Sequence, residues 1–177
     1  MLWHRAMLLE LADAPDAEVS AAYQSGAQAL ERAGVQRADK LMVTIDWCRA
    51  YRAGRAAEFL PELLREYPAW PASAPRFALT LALAGEHDRA RHLLPTAPLP
   101  PLDATYELDI ALLGLAAMHV GARDIAADAY RTLLPVAAEI IGPGACVFLP
   151  AQQVLDELAA FLDRSPQPIG VKSLPGN

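Results

Sequence analysis

The sequence predicts an all-α protein: an array of helical hairpins in a right-handed superhelix, closed by a C-terminal capping helix. Three observations carry the prediction. Ala occurs 36 times and Leu 27 times in 177 residues, and both are strong helix formers. Val, Ile and Thr together number 19, too few for a large sheet, which excludes doubly wound nucleotide binders. Glycines recur where one helix should stop and another start.

The elements follow in order. Residues 2–12 read as an apolar first helix. Asp13 is placed to cap a second, with Pro15 in its first turn, running to Ala33 and ending at Gly34. A third spans 38–53, with Leu41, Ile45 and Cys48 on one face and Trp47 and Tyr51 one turn apart. A fourth covers 55–67, with Pro61 near its first turn. Helices at 74–84 and 87–94 are split at Gly85. Residues 95–101 form a proline-rich connector. Asp103 is placed to cap a long helix to Val120. Another runs from 122 to 141 with a kink at Pro135. Gly142-Pro143-Gly144 is a break, 150–163 is the last helix, and 165–177 reads as a disordered tail. The chain therefore reads as one helical-repeat domain over 1–164.

A repeat underlies this order. Ala50-Tyr51-Arg52-Ala53-Gly54, Leu81-Ala82-Leu83-Ala84-Gly85 and Ala117-Met118-His119-Val120-Gly121 match in type. Five residues after each Gly stand Phe59, Ala90 and Ala126. The Gly-to-Gly intervals bracket the length of a tetratricopeptide repeat, and the small residues suit close helix pairing.

Residues 79–91, residues 127–135 ending Leu133-Leu134-Pro135, and the Gly142–Cys146 break together resemble the helical-repeat region of large bacterial ATP-dependent LuxR-type transcriptional regulators. The resemblance covers about residues 37–163. It implies a sensory or scaffolding portion that binds effectors or partner proteins. The chain has no Gly-x-x-x-x-Gly-Lys-Ser/Thr phosphate loop and no basic recognition helix, so neither the ATPase nor the DNA-binding part is represented.

Charge and hydropathy narrow the partners. A net charge of −6 argues against nucleic acid. No apolar run is long enough to cross a membrane, and no signal peptide is recognisable, so a cytoplasmic protein is expected. Cys48 and Cys146 are expected as two reduced thiols. The histidines lack same-face metal spacing, so no metal or cofactor is expected.

The candidate residues are of two kinds. Trp47, Tyr51, Phe77 and Tyr106, with Phe59 and Trp70, are spread along the array; they either fill the core or line a groove for a peptide or an apolar small molecule. Asp46, Tyr106, Asp109 and His119 are the acid–base groups an enzyme would use. Asp46 is placed to pair with Arg49, and His119 shares a helical stripe with Leu108, Leu112 and Leu115. Cys146 is either a thiol activated at a helix start or an inert buried one. The reading that follows is a non-enzymatic module that binds a partner protein, a peptide or a small effector. The alternative is a small all-α enzyme of secondary metabolism with an apolar cavity. A subunit that homodimerises through its outer helices is a third.

Overall fold

The computed structural model describes residues 2–34, 38–67, 73–97 and 100–164. Trp70 and the 165–177 tail lie outside these. The described residues are mostly helical. The helices are α1 (Leu2–Leu11), α2 (Asp16–Arg32), α3 (Ala38–Arg52), α4 (Leu60–Glu66), α5 (Ala74–Leu83), α6 (His87–Leu93), α7 (Tyr106–Val120), α8 (Arg123–Leu133) and α9 (Ala151–Asp163). Two short strands, β1 (Ile140–Ile141) and β2 (Leu149–Pro150), pair antiparallel between α8 and α9.

Helices adjacent in sequence pack together: α1 on α2, α5 on α6, α7 on α8, and α9 on α8. Gly54, Gly85 and Gly121 all take left-handed φ, between 71° and 82°, where their helices end. The backbone there turns in a way that disfavours a Cβ, so the sequence signal was local and strong. The middle of the molecule is built on α5 and α7. Every residue from Ala74 to Ala82 is buried. Along α7, Leu108, Ala111, Leu112, Leu115, Ala116, Ala117 and Val120 are buried. A helix apolar on nearly all sides must be enclosed by its neighbours, and α7 is enclosed by α5, α6, α8 and α9. Gly114 permits the closest approach: a Cβ there would stand 2.7 Å from that of Ala129 on α8. On the far side Arg123 caps the end of α9, donating to the carbonyls of Phe161, Leu162 and Arg164.

Four expected elements differ. Asp13 does not cap α2; it takes a left-handed φ of 50° in the loop, and Pro15 occupies the capping position. Asp tolerates that conformation better than most residues. The expected 55–67 helix is a 3₁₀ turn, Ala56–Phe59, leading into α4. Asp103 does not cap α7 either. Its carboxylate accepts the N–H and the hydroxyl of Thr105, both at 2.8 Å, so it closes a local turn and the helix starts at Tyr106. The expected 122–141 helix stops at Leu133. Leu134–Val136 tighten into a 3₁₀ turn, and the β-branched pair Ile140–Ile141 bonds to Leu149–Pro150 instead.

The loop between the strands returns to the front of the molecule. Phe148 is fully buried, with its ring 6.0 Å from Trp47 and 4.9 Å from Tyr51. Glu10 of α1 accepts the Val147 N–H at 3.4 Å and the Tyr23 hydroxyl at 2.7 Å, and it pairs with Arg52 and with Arg49. Arg52 in turn donates to the Val147 carbonyl. The first hairpin, α3 and the 142–148 loop are thus tied by one buried carboxylate. Its ordering partners also disfavour charge on Tyr23, whose hydroxyl stays protonated above its usual range through burial and the Glu10 bond.

Candidate functional site

The residues with chemistry converge where α3, α5 and the start of α7 meet. Thr44, Trp47 and Cys48 sit at helical spacing on one face of α3. Ser73 and Arg76 come from α5 and its approach. Pro101, Asp103 and Thr105 lead into α7, which adds Leu108, Asp109 and Leu112. These eleven residues line a partly enclosed cavity of about 270 Å³. The volume is just below the roughly 300–1,000 Å³ common for drug-sized ligands, so the space fits a smaller molecule.

Trp47 is fully buried, and its indole N–H donates to Thr80 Oγ1 at 2.9 Å. The Thr80 hydroxyl passes on to the Arg76 carbonyl at 2.8 Å. These bonds fix the indole against the cavity and leave its ring as a rigid wall. Arg76 is only 5% exposed and gives Nη1 to Thr44 Oγ1 at 2.6 Å. Burial works against its charge, while the carboxylates of Glu66, Asp109 and Glu62 support it.

Asp109 is half-buried, and its carboxyl is pushed up to about 6. Burial is the main cause; a bond from the Thr105 hydroxyl (3.3 Å) opposes it, the nearby Asp103 adds to it, and Arg76 opposes it weakly. A carboxyl that holds its proton more firmly when folded makes the protein less stable as pH rises. The unfolded chain releases that proton near 4 and the folded one near 6. The destabilisation is absent below the first value and complete above the second. Asp109→Asn should therefore gain stability over the wild type at pH 7, by about 2 kcal/mol after allowing for solvent access, and gain nothing at pH 3.5. Urea titrations at the two pH values test this; an equal difference at both would refute the assignment.

The other expected residues lie apart from this place. Asp46 is exposed on α3, and its expected partner Arg49 pairs instead with Asp16 and Glu10. Both partners reach Arg49 from the first hairpin, which a reading of single-helix spacing does not include. Tyr106 is half-buried at the start of α7 and is not part of the cavity lining. His119 is exposed at the end of α7 rather than set in its apolar stripe. Partial shielding and the neighbouring His87 lower its pKa, against Glu157. It stands ten residues from Asp109, about 15 Å along the helix. Tyr51 belongs to the Trp47–Phe148 stack. Phe77 packs against Tyr67, with ring centres 4.7 Å apart, and borders a shallow depression with Leu81, Asp88, Arg89, His92 and Leu93. Trp47 and Tyr51 thus share one stack while Phe77 packs elsewhere against Tyr67, and of the acid–base set Asp109 alone lines the cavity.

Both cysteines are free and buried. The fold brings them together: the neighbouring Cys48 thiol and burial push Cys146 well above the usual thiol range. That is the inert reading of Cys146, not the activated one. Among the described residues no group of three or more His, Cys, Asp or Glu is placed to hold a metal ion. Nor is any described helix long and apolar enough to cross a membrane.

Arg76 was the residue that sequence reasoning missed. Its signal was a lone cation inside the otherwise uncharged helical segment Ala74-Pro75-Arg76-Phe77-Ala78-Leu79. No family model, curated protein or solved structure matches the chain.

Proposed function

We propose that this chain is a non-enzymatic helical-repeat module, related to the sensor portion of bacterial regulators, that binds a small effector between α3, α5 and α7. In this reading the hairpins follow the right-handed tetratricopeptide-like course expected from the glycine repeat. The single observation that carries it is the cavity of about 270 Å³ with the buried Arg76 in its lining. Burying a guanidinium and holding a neighbouring carboxyl half out of water are both costly to stability. Such costs cluster at functional sites, and a cavity beside them is where a ligand would offset them. An effector held there would touch three helices at once, so its binding free energy would favour one relative placement of α3, α5 and α7 over others. That is how a module of this kind would report to whatever it is attached to or docks with.

Native mass spectrometry of the full chain, purified from its own host, tests the proposal. The wild type should carry a small-molecule adduct. Pro101→Trp, which sets a large ring at the exposed rim of the cavity without removing a buried group, should lower its occupancy several-fold. A wild-type chain that carries no adduct, or equal occupancy in the variant, would count against it.

A further inference from the structure

The charges lining the cavity select its occupant, on the reading that the cavity binds a small molecule. The guanidinium of Arg76 already has protein carboxylates on its side: Glu66 and Glu62 of α4 lie near enough to support its charge, and Thr44 takes one of its N–H groups. The α7 side adds two further carboxylates, Asp103 and Asp109. Asp103 is exposed and occupied with the N–H and hydroxyl of Thr105. Asp109 is held half out of water and, among the described residues, receives one long hydrogen bond from Thr105 and only weak support from Arg76. The remaining wall is Trp47, Leu108 and Leu112, which is apolar. An anion entering this space would meet more negative than positive charge. An uncharged ligand would leave Asp109 poorly solvated. A cation with a short hydrocarbon body would answer both halves of the lining.

We propose that the cavity takes a small primary amine with a short apolar tail, its ammonium against Asp109 and its tail against Leu108, Leu112 and Trp47. The raised carboxyl of Asp109 agrees with this, since a bound ammonium would restore the charge that burial opposes. Binding consumes no proton at pH 7, where Asp109 is mostly ionised. At pH 5, where Asp109 is mostly protonated before the amine arrives, binding releases that proton to solvent. The other titratable groups facing Asp109 are Asp103 and Arg76, neither of which changes charge in that interval.

Three probes with one branched tail separate the possibilities: isopentylamine, isopentyl alcohol and isovalerate. The readout is the indole N–H resonance of Trp47 in the full chain, titrated with each probe at pH 7 and pH 5. The amine should bind about tenfold or more tightly than the alcohol at pH 7, in line with a charged hydrogen bond in a partly buried place. Isovalerate should bind least. The advantage of the amine over the alcohol should shrink severalfold at pH 5. Asp109→Asn should bring the amine to the level of the alcohol; the pH comparison on wild-type protein makes the same test without the variant. An amine no tighter than the alcohol, or an acid tighter than both, would overturn the cation assignment and leave the cavity a binding site. If none of the three moved the Trp47 resonance, the binding site itself would fall along with it.

Discussion

Glu10→Ala should cost the folded state roughly 3–4 kcal/mol, which is the scale for removing one member of a buried charged network. Glu10 is only 6% exposed at its side chain and holds Arg52, Arg49, Tyr23 and the Val147 N–H together. Its loss takes the shared carboxylate from two mostly covered guanidinium groups, leaving Arg49 with the exposed Asp16 and Arg52 with the Val147 carbonyl, and it frees a buried phenol. Glu10→Gln keeps the shape and an acceptor, so it should lose less than half as much. Urea unfolding of the three proteins at pH 7 measures both values. If alanine and glutamine cost the same, the charge is unimportant; a loss under 1 kcal/mol for alanine would mean that the tie is not structural.

Gly142→Ala should be at least as damaging, by about 3 kcal/mol or more. A Cβ at this position would overlap the Cys146 carbonyl oxygen and crowd its carbonyl carbon, both of them backbone atoms. Backbone cannot step aside as a flexible side chain does, so the loop must open, and overpacking of this kind exceeds its usual 1–3 kcal/mol when no neighbour yields. Opening the loop also withdraws Phe148 from Trp47 and Tyr51 and breaks the Phe148 N–H bond to Ile141, which is 2.8 Å long. The variant should therefore show, besides its lower midpoint, a change in tryptophan fluorescence under native conditions. A normal midpoint with unchanged fluorescence would refute the placement of this loop.

The sequence showed the parts of the fold that depend on near neighbours. The helix stops at Gly54, Gly85 and Gly121 were legible because a left-handed turn is a property of one residue. The helical character of α5 and α7 was legible from Ala and Leu alone. What could not be read depended on distant residues. Asp103 had the right type and position for a cap, but its own Thr105 competed for the carboxylate. Phe148 follows the Gly-Pro-Gly break without any periodicity, and only the return of the loop makes it a core residue. Arg49 was assigned to Asp46 because spacing within a helix was the only distance available; Glu10 and Asp16 reach it from the first hairpin. The cavity was half legible. Asp109 stood out as a carboxylate in an apolar helix, and Trp47 as an aromatic anchor. Arg76, which faces them, is 33 residues from Asp109 in sequence, and nothing in either segment refers to the other.

The bond from the Val147 N–H to Glu10 spans 137 residues. A chain made from its N-terminus at roughly 5–20 residues per second holds Glu10 outside the ribosome for on the order of ten seconds before Val147 is made. During that interval the first hairpin has its helices but not its lock, and Arg52 can reach Glu10 before the loop does. The segment around Phe148 thus closes late in synthesis over a carboxylate and an aromatic pair made well before it.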